Sequence, residues 1–411
     1  MKNKKIVILG AGFGGMYALK SLSKELFSSN KVILVDKKNH FLFTPLLHEV
    51  ATGSLGPQQV VEPIRSLICS DTEFIQSSIQ SIDTDKKTIT TSAKKISYDI
   101  LISSLGSQSY YYNITGAQEY TYTLKTLEDA VVLKNQFIKK FEQAAQETNF
   151  EKRKKILSFV IVGAGPTGVE LAGEAADLFF DTFEKYYNDM YCIHDVSLIL
   201  VNSTERVLGM FNEKLGKYAT RRLSKHHVDV RNNIRIVEVR KNSLIADTGE
   251  EIFAETIIWT AGVSAQRLIT EKPVFQLEKG CIVVDEYMRA KGLDDVYIIG
   301  DMAHCLDNNG KAYPMTAQVA KQQGMLVGEN INNEYFSKPQ KPFKYRERGM
   351  LASLGNYDAV AFISGISFFG LTAWFMWRTI YLFNFISWRK RFKIMLDWTI
   401  NLFTERDISH L

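Results

Sequence analysis

The chain has 411 residues, 45% of them hydrophobic, with 50 Lys and Arg against 45 Asp and Glu for a formal net charge of +5. That length exceeds one ordinary core and predicts two or three domains; the hydrophobic content excludes a disordered chain. The mild basic excess has no zinc spacing or RNA-binding signature beside it, so nucleic acid is not expected as a partner.

Residues 5–9 (KIVIL) and 32–35 (VILV) are short apolar runs, and 16–26 between them has a helical pattern. Strand, glycine turn, helix, strand is a βαβ unit. The first glycines follow the opening strand directly, so no targeting segment is expected and the catalytic part is expected in the cytosol. Polar strands are expected over about 73–90, a strand over 99–103 and a helix over 127–146. The run Lys152-Arg153-Lys154-Lys155 reads as a solvated loop. The βαβ pattern then recurs: strand 157–162 (LSFVIV), glycine turn 163–168, helix 170–180, a helical insertion, and strand 196–201 (VSLILV). This is an internal duplication at the level of fold. Residues 257–259 run into the turn Thr260-Ala261-Gly262, 295–300 (DVYIIG) is another buried strand, and 338–342 (KPQKP) is a linker signal. Cys69, Cys192, Cys281 and Cys305 include no CxxC or other close pair and read as idle thiols in a reducing compartment.

Gly10-Ala11-Gly12-Phe13-Gly14-Gly15 is G-x-G-x-x-G in the required context. The first glycine allows the tight turn, the second lets backbone approach a pyrophosphate, and the third lets helix pack on strand. The helix N-terminus then offers N–H groups to phosphate. Asp36 ends the next strand, about 20 residues on, where an acid takes ribose hydroxyls. Phe13 and Lys37 adjoin these positions and join the same site. Gly163-Ala164-Gly165-Pro166-Thr167-Gly168 repeats the motif, with Pro166 near the helix start where no N–H is needed. The acid expected after the following strand is replaced by Asn202, with Arg206 nearby. An amide still accepts one hydroxyl, so NADH fits, while the missing charge weakens discrimination against NADPH. Two fingerprints imply two dinucleotides, and one bound flavin with one exchanging nicotinamide is the economical pairing, because hydride must pass between them. No serine, histidine or cysteine constellation points to a side-chain nucleophile.

Residues 359–377 hold no charge, which is long enough for a membrane span. Gly365 and Gly370 interrupt it, however, and 359–366 reads better as a strand ending in a turn. Beyond it Leu371, Trp374, Trp377, Tyr381, Phe385 and Trp388 recur at helical spacing, and Arg378, Arg389, Lys390, Arg391 and Lys393 precede the first acid, Asp397. A second apolar set is Ile394, Trp398 and Leu402. Aromatic and basic residues together suit an interfacial helix on an anionic lipid surface; packing on the core or in a homodimer is the competing reading.

Three further segments carry a resemblance: residues 40–53 (HFLFTPLLHEVATG), Ile298-Ile299-Gly300-Asp301, and Ala317-Gln318-Val319-Ala320-Lys321-Gln322-Gln323-Gly324. With the two fingerprints, they resemble the two-dinucleotide-binding flavoproteins and, within them, the type II NADH:quinone oxidoreductases, single-subunit respiratory dehydrogenases that pump no protons. The resemblance covers nearly the whole chain. It implies an α/β fold of two Rossmann-like, glutathione-reductase-like domains plus a C-terminal amphipathic membrane-binding segment. Residues 1–112 and 264–335 would bind FAD, 113–263 would bind NAD(P)H, and 336–411 would attach to the membrane surface at its cytoplasmic face.

The resemblance also implies roles. Thr44 and Pro45 lie against the flavin ring, backbone at Ile79 touches adenine, Gly106 approaches the flavin from an irregular strand-to-glycine turn, and Asp301 binds the ribitol chain. Ala317 and Gln318 meet the flavin at a helix start, and Gln318 and Lys321 line a quinone pocket. Gly262 belongs with the nicotinamide site. Glu170, read as first-turn in the second helix, would either stabilise that helix end or, by resemblance, relay protons or steer quinone. Glu174 reads as a packing or cofactor-edge residue. The alternatives are a sulfide:quinone oxidoreductase, which needs cooperating cysteines, and a flavin-bound interaction protein resembling apoptosis-inducing factor. A disulfide reductase lacks its cysteine pair.

Overall fold

Strand Lys5–Leu9 is buried at every position after Lys5 and lies in the middle of a five-stranded parallel sheet. Ile6 pairs with Val32 on one side and Ile100 on the other. The order across the sheet is Val296–Ile298, Ile100–Ser103, Lys5–Leu9, Lys31–Asp36, Thr72–Gln76. Burial on both faces explains the unbroken Val/Ile/Leu runs. The computed structural model describes residues 3–187, 195–270, 272–355, 357–400, 404 and 406–409. It divides into two units, the first comprising Met1–Leu42, Glu62–Gln108 and Val263–Glu347. In this unit a meander of Ile79–Asp83, Thr88–Thr91 and Lys95–Ser97 sends Ile82, Ile89 and Ile96 into one core with Val7, Leu9 and Val35. On helix Phe13–Lys20 lies helix Ala317–Tyr335, so close that a Cβ at Gly324 would come 2.2 Å from the Gly14 carbonyl oxygen.

The second unit, Phe43–Val61, Ser109–Gly262 and Arg348–Leu411, repeats the arrangement. Its sheet runs Tyr122–Thr123, Thr256–Trp259, Ser158–Val162, Ser197–Val201, Val228–Arg231, all parallel, with the fingerprint strand again in the middle. Helix Leu127–Ala145 starts at a capping box between Thr126 and Asp129 and packs Phe137 and Phe141 against Phe159 and Phe179. The expected duplication is therefore present over four strands of each sheet; the fifth differs, since Tyr122–Thr123 precedes its fingerprint strand and Val296–Ile298 comes last in its own sheet.

Boundaries differ where local chemistry decides them. The first fingerprint helix begins at Phe13, since the glycines form its first turn, and ends at Lys20; Ser23 then caps a separate helix, Lys24–Ser29. The basic run 152–155 is not a loop. It lies in helix Phe150–Ile156, capped by Asn149, with Arg153, Lys154 and Lys155 in the last turn where the helix dipole favours them. Residues 359–377 split into strand Ala359–Ile363, a turn at Ser364 and Gly365 (φ 50° and 82°), strand Ile366–Phe369 and the start of helix Leu371–Asn384. Two successive positive φ values are what a tight two-residue hairpin demands. No helix among the described residues is long and apolar enough to cross a membrane. Cys192 and Leu402 lie outside the described residues.

Candidate functional site

In the first unit the glycines divide the work as their chemistry requires. Gly10 sits at φ +92°, and a Cβ there would meet the Ser104 carbonyl oxygen at 2.3 Å; one at Gly15 would meet the Gly10 carbonyl oxygen at 1.9 Å. Those two are closed by packing. Gly12 is exposed, with nothing within 4 Å of the place a Cβ would take. The open backbone face at Gly12, at the N-terminus of helix Phe13–Lys20, has the shape and the N–H donors that could hold a pyrophosphate. Asp36 is held against this loop, accepting from Ala11 N–H at 2.6 Å and Lys38 N–H at 2.8 Å. Lys37 is exposed beside it, and Phe13 stands edge-on to Phe41. Strand Val296–Ile298 delivers Gly300 and Asp301 to a short helical turn, where the Asp301 carboxylate accepts from the Ser107 hydroxyl. Gly106, at φ +74°, is also open, and half-buried Ile79 begins its strand.

Helix Ala317–Tyr335 puts its glutamines to three uses. Buried Gln323 accepts from the Gly300 N–H at 2.7 Å, and Gln322 exchanges two hydrogen bonds with the Arg346 backbone. Gln318, beside Ala317 in the first turn, accepts from the Tyr345 hydroxyl at 3.4 Å. Lys321 stands over the Tyr17 ring, 4.4 Å from its centroid.

The second unit builds the same cradle. A Cβ at Gly163 would meet Ala261 backbone at 2.8 Å and one at Gly168 the Gly163 carbonyl oxygen at 1.8 Å, while Gly165 is open. Pro166 is the first residue of helix Pro166–Ala176, and Thr167 is exposed in its first turn. Asn202 is buried and occupied: its amide donates to Thr204 O and Asn232 Oδ1, and its Oδ1 accepts from the Thr204 hydroxyl. Arg206 donates to the Phe211 carbonyl. Gly262, at φ +79°, lies under Tyr112, whose hydroxyl is 2.4 Å from where its Cβ would be.

Glu170 is in the fifth position of its helix, past the first turn, so stabilising the helix end is not its role. It is buried, and its Oε1 accepts from Ser353 N–H and Trp377 Nε1–H, both at 3.2 Å. Around it lie His48 and Glu49 of helix Leu47–Ala51, entered through the turn Thr44–Leu46 that carries exposed Thr44 and half-buried Pro45. Glu49 accepts from Trp398 Nε1–H at 2.9 Å. Glu174 pairs with Arg406 at 3.0 Å and accepts from Ser54, and Arg406 also reaches Asp177. Burial pushes the Glu170 carboxyl up to about 8. Glu49 and Asp177 are also raised by burial, whereas at Glu174 the opposing pull of Arg406 wins and holds it down. Burial drops the His48 imidazole to about 4, so it is neutral at pH 7.

Residues 4–324 match the family model "Pyridine nucleotide-disulphide oxidoreductase", and 348–407 match "NDH2 C-terminal domain". The type II NADH:quinone oxidoreductase of Staphylococcus haemolyticus is 31% identical over 92% of this chain and 94% of its own length. A probable NADH dehydrogenase of Dictyostelium discoideum is 30% identical over all of this chain and 92% of its own. The chain belongs to the type II NADH:quinone oxidoreductase family. A solved structure of NDH2 from Plasmodium falciparum in complex with NADH has the same fold, with TM-score 0.91 at 24% identity over 99% of this chain and 100% of that one. The sulfide:quinone oxidoreductase of Aquifex aeolicus, at TM-score 0.73 and 19% identity over 98% of this chain and 96% of that one, shares the fold more loosely.

For this type II family member, sequence reasoning missed His48, Gln323, Asp177, Trp398 and Arg406. A polar residue inside an apolar stripe was the available signal. Gln323 and Asp177 carry it, whereas Arg406 meets its partners over a sequence distance that no local pattern spans.

Proposed function

We propose that the protein is a non-proton-pumping NADH:quinone oxidoreductase that holds FAD and oxidises NADH as an exchanging co-substrate. The observation that carries this is the paired cradle: two parallel sheets, each with its fingerprint strand in the middle and an open middle glycine at a helix N-terminus. A complete second cradle favours a nicotinamide donor over sulfide. Cys281 and Cys305 are buried with raised thiols, and Cys69 is exposed. The chemistry FAD supplies when bound is acceptance of a hydride from NADH and passage of two electrons to a quinone.

The chain's residues bind, orient and protonate. In the first unit Gly10, Gly12, Gly14 and Gly15 cradle the flavin pyrophosphate, Asp36 takes ribose, Asp301 takes the ribitol chain, and Gln318 and Lys321 serve the quinone. In the second, Gly163, Gly165, Pro166 and Gly168 cradle NADH. Asn202 puts no charge against a 2′-phosphate, so NADPH serves too, less well. Thr44 and Pro45 bear on the flavin ring. Glu170 is protonated at pH 7 and supplies a proton for quinol formation.

The quinone dissolves in a bilayer, and the protein attaches to its cytoplasmic face through the C-terminal helices. Of the sequence stripe, Trp374, Trp377 and Phe385 are buried and Leu371 and Trp388 are exposed; the face that serves joins Trp388 to Phe375, Phe383 and Phe392, all four more than half exposed. Lipid is the occupant that chemistry favours, aromatic rings at headgroup depth beside Arg389 and Lys393; a second copy of the chain is the competing outcome.

Anaerobic mixing tests the activity. NADH should bleach the flavin absorbance, NADPH should do so more slowly, and a soluble quinone should restore it. Bleaching by sulfide with none by NADH would overturn the reading. With Glu170→Gln, quinone turnover should fall about 10- to 100-fold while bleaching by NADH persists; unchanged turnover sinks the assignment of Glu170.

A further inference from the structure

We propose that His48 is the relay through which Glu170 regains its proton, acting through Glu170 and not on the substrate directly. The inference rests on the role given to Glu170 above. His48 is 3% exposed. Its Nδ1 lies 3.7 Å from Glu170 Oε2, and its Nε2, fully buried, meets no hydrogen-bond partner among the described residues. Buried polar atoms are nearly always partnered, so an orphan calls for an explanation in function or in a missing partner.

The two oxygens of Glu170 are not equivalent. Oε1 already accepts two N–H donors, from Ser353 and Trp377. The acid proton therefore sits on Oε2, the oxygen that faces His48. When Glu170 has given that proton to the reduced quinone, Oε2 is bare and charged. A neutral imidazole restores it in one balanced step: Nε2 takes up the solvent proton that the overall reaction consumes, and the proton on Nδ1 leaves to Oε2; exchange of the ring protons with solvent then restores the Nδ1–H tautomer for the next turnover. The overall reaction, NADH and quinone and one proton to NAD⁺ and quinol, consumes that single proton. The 3.7 Å separation is longer than a hydrogen bond, as catalytic pairs commonly are before substrate binds.

The surroundings favour a neutral relay. Glu49 shares the helix of His48, Glu174 shares the helix of Glu170, and Arg378, Arg406 and Tyr381 complete the charged and titratable groups around the pair. Arg406 and burial oppose a lasting imidazolium, while Glu174 favours one, and burial wins.

The test uses the flavin-loaded full chain with His48→Gln, His48→Ala and Glu170→Gln. In infrared spectra the carboxyl stretch that Glu170→Gln abolishes reports the acid proton, and its downshift in D2O times exchange of that proton. Both His48 variants should slow this exchange and lower quinone turnover roughly tenfold or more, with bleaching by NADH unchanged. Added imidazole should rescue His48→Ala, and the rescue should grow as pH rises through imidazole's own titration. Unchanged exchange and turnover in both variants, or loss of turnover without rescue or slowed exchange, would overturn the relay and make His48 a packing residue. Unchanged turnover in Glu170→Gln would instead overturn the role of Glu170, and the relay with it. His48→Gln keeps the size of the side chain, so a poorly folded alanine variant does not end the test.

Discussion

Single residues carry the distinction between a fold that closes and a site that opens. Gly12 and Gly15 belong to one motif, yet only Gly15 is sterically closed. Gly15→Ala should therefore destabilise the first unit by about 1–3 kcal/mol through overpacking, read by urea unfolding. Gly12→Val should fold with near-normal stability and lose flavin on dialysis. Glu170 and His48 make opposite contributions to stability with pH. The folded protein holds the Glu170 proton up to about 8 against an ordinary 4.5, so stability is full below 4.5 and is lost as pH climbs to about 8. His48 falls from 6.5 to about 4, so its contribution is full above 6.5 and is lost as pH drops toward 4. Urea melts should show Glu170→Gln flattening the alkaline limb and His48→Gln the acid limb, at about 1.4 kcal/mol per pH unit as an upper scale. Equal slopes in wild type and variants would contradict both assignments.

Among the elements, the C-terminal helices serve the interior first. Trp377 and Trp398 are buried and donate to Glu170 and Glu49, and Arg378 stacks over Trp374 and Trp398. Lys390 donates to the Gln58 carbonyl and Arg391 to the Phe385 carbonyl. Of the five basic residues in this stretch, Arg389 and Lys393 are exposed and the other three are half-buried. Arg406 then ties the end of the chain to Glu174 and Asp177, on and just beyond the helix of Glu170. Removing one partner of a buried ion pair strands the others, at a cost of roughly 3–5 kcal/mol. Arg406→Ala should show that loss in urea unfolding, together with a rise of the Glu174 carboxyl. A stability within 0.5 kcal/mol of wild type, the usual span for surface changes, would mean the pairs are not formed in solution.

For the whole molecule the membrane question is one of which face is outward. Cutting the chain near residue 370 would remove the partners of Glu170, Glu49 and Glu174, so a truncated protein that fails to bind has also lost its core. Trp388→Glu with Phe392→Glu leaves that core alone. Since burying one such side chain is worth about 1.5–3 kcal/mol, the pair should weaken sedimentation with anionic vesicles at least about tenfold. Unchanged vesicle binding, or a change in oligomeric state instead, would assign this face to a second copy. Of the five basic residues between Arg378 and Lys393, Arg389 and Lys393 are the exposed ones, so salt should matter less than the aromatic residues do.

The sequence alone determined the duplicated α/β fold, both cradles and the acid at Asp36, because these depend on local steric rules: strand runs, glycine turns and helix starts within about 30 residues. It misread the 152–155 helix, since capping and charge placement outweighed composition there, and its helical stripe mixes buried Trp374 and Trp377 with exposed Leu371 and Trp388. Helical spacing finds an apolar face but not what that face meets. Tertiary structure alone decided that Glu170 is buried, its carboxyl pushed up by that burial, and faced by His48, because its partners come from residues 48, 353 and 377. A carboxyl's pKa is set by what surrounds it in space, and chain neighbours supply little of that.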